Sequence, residues 1–200
     1  MSTQWTPRES GILAGVARAD ITPPVGIRAH NWGAAPVGQA TGVHRPLTVS
    51  ALAVADDGVG WRYLISADLG WWQSLAGYQR VYRPVLAALG GEPDAVLLHL
   101  VHTHAGPTLA EEDSGLPGSE LVGPYRESLT QTLIEAATAA REAAQEATVT
   151  WAYGSCRLAT SRDLPCGHRD VLGFNPGRGA DDTVLVGRIA GDGGAPLGCW

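Results

Sequence analysis

The fold is decided by residues 47–68, whose sequence reads LTVSALAVADDGVGWRYLISAD. Apolar residues alternate with other residues through 47–55, which is the side-chain period of a strand with one covered face. The Asp56-Asp57-Gly58 segment is a turn signal, and residues 61–68 are predicted to return as a second strand. Two strands joined by so short a turn are expected to pair as antiparallel neighbours.

The residues around this hairpin predict further strands and a first helix. Residues 12–21 are predicted to form a strand that ends before Pro23-Pro24, and the apolar run 95–101 is expected to be a strand covered on both faces. A helix is predicted over 73–89, and Pro84 is expected to kink or divide it. Its apolar face is predicted to comprise Leu75, Tyr78, Tyr82, Val85, Leu86 and Leu89.

The second half of the chain predicts a long helix and more strands. The helix is expected to follow a loop over 105–123 and to carry Pro124 in its first turn. Its buried stripe is predicted to comprise Leu129, Leu133, Ala136, Ala140 and Ala144. Strands are predicted at 148–157 and 183–190, with a long polar loop over 158–182 that suits a segment lining a site. The elements together predict an α/β fold with a layered mixed β-sheet and flanking helices, in one domain over 1–200 without a second domain.

Composition and charge narrow the class of protein. The chain has 200 residues, a formal net charge of −6 and no lysine. Without lysine, the chain cannot contain a phosphate-binding loop of the GKS or GKT type. Its net negative charge also argues against nucleic acid as a partner.

No apolar run approaches the roughly 20 residues of a membrane span, and the N-terminus does not resemble a signal peptide. We therefore expect a cytoplasmic protein without a transmembrane segment. The three cysteines show no spacing typical of a disulfide framework or a zinc knuckle.

The segment 101–107, with the sequence VHTHAGP, is the strongest chemical signal in the chain. Residues two apart in a strand share a face, so His102 and His104 are predicted to point to the same side at the end of the 95–101 strand. Two parallel imidazoles suit a divalent metal such as zinc, and they also suit ordinary polar histidines. The acidic segment Glu111-Glu112-Asp113 is a candidate for a further ligand, although a solvated loop is the favoured explanation.

Three other side chains are candidates for supporting roles. Asp68 follows a strand, where it is predicted either to orient a histidine ligand or to cap the next helix. His44 precedes a strand, and its pattern leaves open a ligand, a substrate contact or an ordinary loop residue. Arg45 is predicted either to clamp a carboxylate or phosphate or to form a structural ion pair.

Four motifs in order resemble the N-terminal part of the neutral/alkaline non-lysosomal ceramidase family. These motifs are GVARADITPPVG at 15–26, GVHRPL at 42–47, the strand end at Asp68 and HTHAGP at 102–107. The resemblance implies a zinc-dependent amidase that hydrolyses the N-acyl bond of a lipid or another N-acyl substrate. It also implies that His102 is a zinc ligand and that His104 contacts the substrate or the attacking oxygen, where a metal would stabilise developing negative charge.

Two departures from the family pattern qualify this expectation. The family's Asn-Arg-Ser segment aligns with Ser161-Arg162-Asp163, so Arg162 matches a catalytic position while Asp163 replaces the serine. The family's later ligands, a second histidine, a glutamate and a tyrosine, have no counterpart before Trp200. We therefore expect one zinc ion with an incomplete ligand set, a sheet that is incomplete at the C-terminus, little activity in this chain, and self-association through an exposed sheet edge.

Two alternatives compete with the ceramidase-like hydrolase. A non-catalytic fragment or degenerate copy would bind metal weakly or not at all. An unrelated metalloenzyme with a histidine pair, such as an amidohydrolase barrel or a metallo-β-lactamase-like hydrolase, would require regular strand–helix repeats or an aspartate and a histidine directly after the pair. Ala105, Gly106 and Pro107 stand at those positions instead, which disfavours the β-lactamase type.

Overall fold

The computed structural model describes residues 11–30, 32–33, 37–56, 58–110 and 115–199. The described chain divides into two compact units, which comprise residues 11–147 and residues 148–199. Within the described residues, no helix is both long enough and apolar enough to cross a bilayer.

The first unit is built on a mixed sheet in the order β4-β3-β2-β1. The strands are β1 (Gly11–Asp20), β2 (Thr48–Ala55), β3 (Arg62–Ala67) and β4 (Val96–Leu100). Strands β2 and β3 pair antiparallel with Leu52 opposite Leu64, so the predicted hairpin is confirmed. Strand β4 runs parallel to β3, and β1 runs antiparallel to β2. The predicted mixed α/β fold is therefore present.

Two helices flank this sheet. They are α1 (Leu75–Ala88), between β3 and β4, and α2 (Val122–Glu142), with short 3₁₀ turns at Pro93–Ala95 and Ser119–Leu121. Pro124 lies in the first turn of α2, as predicted. Helix α2 packs on β1 and β2 and contacts α1. Leu129, Leu133, Ala136 and Ala140 of its predicted stripe are buried, whereas Ala144 lies beyond the helix and is half-buried.

The predicted apolar face of α1 is confirmed in part, because Val85 and Leu89 are buried and Tyr82 and Leu86 pack partly buried against the core. The buried residues of the helix are Gly77, Val81 and Val85, spaced by four, whereas Leu75 is 70% exposed. The prediction missed Gly77 and Val81, which share this face, and a Cβ at Gly77 would lie 3.4 Å from the Leu109 carbonyl oxygen, so a small residue suits that position. Ser74 caps the helix, and its Oγ accepts the Gly77 N–H at 3.0 Å.

Pro84 does not divide α1, which contradicts one of the two outcomes predicted for it. The helix continues without interruption from Leu75 to Ala88. Pro84 lies on the solvent side, as does Arg80, whose carbonyl would have accepted the missing N–H bond. Water can satisfy that carbonyl, so the residue is tolerated inside the helix.

The prediction that β4 is covered on both faces is wrong. Val96 is buried, but Leu97 is 63% exposed and His99 is also exposed. The strand lies at the end of the described sheet, and no described element covers the face that carries Leu97 and His99. The unbroken apolar run at 95–101 therefore corresponds to a strand with one buried face, and apolar residues on its other face are exposed.

Strand β1 and helix α2 approach each other closely at Gly15. A Cβ at this position would clash with the Ala140 carbonyl oxygen and would lie 2.7 Å from the Ala144 nitrogen. Glycine is therefore required here by the contact between strand and helix. The buried core around this contact comprises Val49, Ala51, Tyr63, Ile65, Val81, Val85, Leu129, Leu133 and Ala137.

The second unit consists of strands and turns. Strand β5 (Gln145–Ser155) enters it from the first unit, and β8 (Thr183–Gly191) and β9 (Pro196–Cys199) follow in the order β5-β8-β9, with a turn at Asp192–Gly194. The strands predicted at 148–157 and 183–190 are confirmed. All three cysteines are exposed and free.

The predicted loop over 158–182 contains a hairpin, so the expectation of irregular structure is wrong. Strands β6 (Asp163–Cys166) and β7 (Arg169–Leu172) pair antiparallel, with Cys166 opposite Arg169. Gly167 has a φ of 67°, which permits the two-residue turn between them. Pro165 and the short length of each strand conceal the alternation from the sequence pattern.

Candidate functional site

The candidate histidines lie in a loop that follows β4, which is named the histidine loop (residues 101–107). Strand β4 ends at Leu100, so His102 and His104 lie beyond the strand, whereas the prediction placed them at its end. The Thr103 N–H donates to the Leu69 carbonyl at 3.2 Å and so holds the loop beside the end of β3. His102 has a φ of 64°, a left-handed conformation that is uncommon for residues other than glycine and often found at functional sites.

His102 and His104 come together as predicted, although a strand does not position them. Their ring centroids lie 5.1 Å apart with an interplanar angle of 30°. Trp71 lies 5.3 Å from the His102 ring and 5.7 Å from the His104 ring, and Trp32 lies 4.9 Å from His104. Both histidines are exposed. These four rings form an aromatic cluster at the surface of the first unit, which the sequence alone did not predict.

The cluster does not provide a complete zinc site by itself. Zinc in proteins takes three or four protein ligands, and the histidine pair supplies two nitrogens. Among the described residues, no three histidine, cysteine, aspartate or glutamate side chains lie close enough to hold a metal ion. The acidic segment at 111–113 lies outside the described residues. The residues at hand therefore do not fit a fully ligated zinc ion.

A separate cavity of about 510 Å³ is lined in part by the histidine loop. Val101, Thr103 and Ala105 line it, while the alternate residues His102 and His104 belong to the aromatic cluster. The cavity, called the arginine cavity below, is also lined by the charged or polar residues Arg18, Thr22, His44, Arg45 and Asp68. The predicted site residues of the first unit therefore divide into two groups.

Asp68 does not cap the next helix, and its predicted role of orienting a histidine ligand stays a prediction. Its Oδ2 accepts the Thr48 N–H at 3.0 Å and the Thr48 hydroxyl at 2.8 Å. The helix cap is Ser74, and no described hydrogen bond joins Asp68 to a histidine. The carboxylate therefore fixes the start of β2 at the wall of the arginine cavity.

Arg18 is a cavity residue that the sequence analysis missed. Its guanidinium donates to Thr48 Oγ1 at 2.9 Å, so Arg18, Thr48 and Asp68 form a continuous hydrogen-bonded chain. The available signal was a cation within the predicted strand 12–21, where an exposed strand residue is the ordinary explanation. The tertiary structure places Arg18 in the lining of one cavity together with the 42–47 segment.

The rim of the cavity is anchored by the end of β1. The buried Tyr125 hydroxyl donates to the Ile21 carbonyl at 2.7 Å, and the Thr22 hydroxyl accepts the Leu47 N–H at 2.9 Å. Burial raises the pKa of Tyr125, and the Asp20 carboxylate adds to the increase. The hydroxyl therefore stays protonated and keeps donating throughout the neutral range. At the same strand end, hydrogen bonds from the Thr22 side chain and backbone lower the pKa of Asp20.

The remaining predicted residues, Arg162 and Asp163, belong to the second unit. Both are exposed at the start of the β6–β7 hairpin. The Asp163 carboxylate lies 3.7 Å from the Arg178 guanidinium, and its backbone carbonyl accepts the Asn175 side-chain amide at 2.8 Å. Both contacts of Asp163 are therefore structural, and its ion pair with Arg178 is exposed to solvent.

Comparison with known proteins identifies the fold. No protein-family model and no curated protein sequence matches the chain. A solved structure described as a ceramidase complexed with C2 matches 94% of this chain with a TM-score of 0.68 and 18% identity. The neutral ceramidase from Pseudomonas aeruginosa matches the same share with a TM-score of 0.69 and 18% identity. The chain spans 30–31% of the length of these neighbours, and it has the fold of that part of a neutral ceramidase.

Proposed function

We propose that this chain is part of a hydrolase that cleaves the amide bond of an N-acyl lipid. The observation that supports this proposal is the match of 94% of the chain to two ceramidase structures. Ceramidase activity is the cleavage of an N-acyl amide, and the histidine pair at the surface of the first unit provides side chains suited to that chemistry.

The proposed chemical role of this chain centres on the histidine loop. His104 is proposed to contact the substrate or the attacking oxygen, since a neutral imidazole can accept a proton and return it near neutral pH. His102 is proposed as one zinc ligand, whose partner ligands are absent from the described residues. Trp71 lies against both imidazoles and Trp32 lies against His104, contacts that would help to orient the pair toward a substrate.

The substrate class that we propose is broader than ceramide. Arg162 is proposed to contact substrate, as the family resemblance implies, whereas Asp163 replaces the family's serine. A carboxylate that faces Arg178 has no hydroxyl proton to transfer, so it cannot act as the serine would. A hydrolase for another N-acyl amide or ester fits this substitution better than one restricted to ceramide.

The second candidate is a protein that binds N-acyl lipids without cleaving them. The observation that favours it is the two-nitrogen ligand set of the histidine pair, which is too small for tight zinc binding. We therefore propose that the 200-residue chain retains little zinc and shows at most trace hydrolysis.

The test combines metal analysis, substrate binding and turnover. The purified chain is dialysed, its zinc content is measured by mass spectrometry, and a fluorescent short-chain N-acyl sphingosine is titrated while its hydrolysis is followed by chromatography. We expect substoichiometric zinc, saturable binding and trace turnover. His102→Ala should lower the residual zinc further and His104→Ala should abolish the trace turnover, while His168→Ala, in the β6–β7 turn, serves as the matched control.

Three results would contradict these proposals. Failure of the N-acyl substrate to bind would refute the amide-lipid function altogether. Stoichiometric zinc with rapid turnover would refute the proposed weak activity and exclude the binding-only candidate. Complete absence of turnover in excess zinc, with binding retained, would refute the hydrolase role for this chain and select the binding protein.

A further inference from the structure

The arginine cavity carries a net positive charge in an acidic protein. The chain as a whole has a formal charge of −6. The charged residues that line the cavity are Arg18, Arg45 and Asp68, so two cations face one carboxylate. His44 lines the same cavity. A local charge opposite in sign to that of the whole molecule indicates a preference for an anionic ligand.

Asp68 does not neutralise the two arginines by direct pairing. Its carboxylate accepts two hydrogen bonds from Thr48, and no described ion pair joins it to Arg18 or Arg45. Arg18 donates to the Thr48 hydroxyl at 2.9 Å. This single bond orients a guanidinium that has five N–H donors and leaves others for a ligand.

Arg45 is the cation most available to a ligand. It lines the cavity, is exposed, and forms no hydrogen bond or ion pair with any described residue. A guanidinium can bind a carboxylate or phosphate through two parallel hydrogen bonds, which is the geometry that favours arginine over lysine. Arg45 therefore provides an anion-binding group without a structural role that competes for it.

Most of the remaining cavity lining is apolar. Val25, Ile27, Val43, Leu47, Val101 and Pro107 contribute to the wall. Val25 is 56% exposed and Val43 is 50% exposed. Exposure of aliphatic side chains to water is unfavourable, and a ligand that covered them would remove this cost. A volume of about 510 Å³ lies within the range of small-molecule sites.

We propose that the arginine cavity binds a single-chain lipid with an anionic head group. The head group contacts Arg45 and Arg18, and the alkyl chain covers the apolar wall. This site is distinct from the histidine pair, because His102 and His104 do not line the cavity. Two kinds of anionic head group have the proposed chemistry. One is a carboxylate, as in a fatty acid or an N-acyl amino acid, and the other is a lipid phosphate.

The test measures binding of ligands that share a dodecyl-length chain and differ in the head group. Dodecanoate, N-dodecanoylglycine and dodecyl phosphate are the anionic ligands, and dodecanol is the neutral reference, all below their aggregation concentrations. Calorimetric titration should show at least one anionic ligand binding at least about tenfold more tightly than dodecanol, with the difference falling as salt is added. The order among the three anions identifies the head group.

Variants separate this site from a general lipid-binding surface. Arg45→Gln should weaken binding of the anionic ligand about tenfold and leave dodecanol binding unchanged, since Arg45 has no described partner within the fold. Arg83→Gln, an exposed arginine of α1 outside the cavity, should change neither. Arg18→Gln is a second variant, and its folded state is verified by circular dichroism.

Equal affinity for anionic and neutral ligands, or unchanged anion binding in both Arg45→Gln and Arg18→Gln, would overturn the proposal. These ligands report on binding alone. The result is therefore independent of whether the histidine pair supports hydrolysis, and failure of one proposal is distinguishable from failure of the other.

Discussion

The two units of this chain contain strands of similar length but differ in how those strands are covered. In residues 11–147, helix α2 packs on β1 and β2, and residues such as Val49, Ala51 and Ile65 are fully buried. In residues 148–199, strands β6 and β7 are almost entirely exposed, and Trp151 and Tyr153 of β5 are 47% and 63% exposed.

The comparison shows that strand pairing and core formation are separate properties. Backbone hydrogen bonds organise both units, but among the described residues the α-helices that cover apolar side chains lie in the first unit. The second unit therefore relies more on its ladders and turns, and it leaves a large apolar surface of the kind that typically contacts another surface. Mutations should have unequal effects in the two units.

The largest expected effect comes from the contact between strand and helix in the first unit. Gly15→Val should prevent stable folding, because the added side chain would clash with the Ala140 carbonyl. Gly11→Val is the matched control in the same strand, since a Cβ there meets no atom within 4 Å. Soluble yield and circular dichroism measure the outcome, and similar behaviour of the two variants would show that the close contact is not required.

A pair of leucine truncations compares the two units directly. Leu133→Ala, at a side chain that is 1% exposed, should reduce the free energy of unfolding by about 2–5 kcal/mol. Leu158→Ala, at a side chain that is 91% exposed, should change it by less than about 0.5 kcal/mol. Chemical denaturation measures both. A large effect at Leu158 would indicate that the second unit has a core that its exposure does not reveal.

Removal of one buried hydroxyl should have an intermediate effect. Tyr125→Phe deletes the 2.7 Å hydrogen bond to the Ile21 carbonyl and should cost about 1–2 kcal/mol of unfolding free energy. Tyr153→Phe, at a side chain that is 63% exposed, is the control and should cost much less. Equal losses would mean that the hydrogen bond does not anchor the end of β1.

The exposed edge of the first sheet predicts weak self-association. Strand β4 has one described neighbour, β3, and Leu97 on it is 63% exposed. Leu97→Lys should reduce the apparent mass at high concentration in light scattering, since a charge on an edge strand disfavours pairing between chains. Wild-type protein that stays monomeric at every concentration would refute this prediction.

The smallest effect concerns an Asp-x-Thr motif that occurs once in each unit. The Thr22 N–H donates to Asp20 and the Thr183 N–H donates to Asp181, and hydrogen bonds from these threonines lower the pKa of both carboxyls. Because the folded pKa lies below the unfolded value, each carboxylate stabilises the fold above about pH 4, and that contribution is lost as the pH falls through the folded pKa.

Carboxyl titration by NMR measures these two groups, with Asp20→Asn and Asp181→Asn as assignment controls. Both pKa values should lie below the usual value of 3.8. The two values should also be similar, because both groups are exposed and share one local motif. A value at or above 3.8 in either unit would show that the turn is not formed there in solution.

Several features of the fold were predictable because they depend on local patterns. The alternation in 47–55 and the turn at 56–58 predicted the β2–β3 hairpin, since both are properties of adjacent residues. The stripe of α2 was predictable for the same reason. The face of α1 was predicted only in part: Val85 and Leu89 are buried as expected, whereas Gly77 and Val81 were missed because which residues become covered also depends on the element packed against the helix.

The candidate site was predictable only in part. The sequence placed His102 and His104 together, because two residues separated by one cannot be far apart. It did not predict Trp71 and Trp32 beside them, since these residues come from distant segments. Arg18 was missed because contacts between β1 and the segment before β2 define the arginine cavity.

The sequence by itself determined the mixed α/β class, the hairpin, the long helix and the resemblance of its ordered motifs to neutral ceramidases. Periodicity and motif order are local or linear properties, so they can be recognised without coordinates. The tertiary structure alone decided that His102 and His104 join an aromatic cluster while Val101, Thr103 and Ala105 of the same loop line the arginine cavity. It did so because side-chain direction in residues 101–107 is fixed by contacts with Leu69, Trp71 and the 42–47 segment.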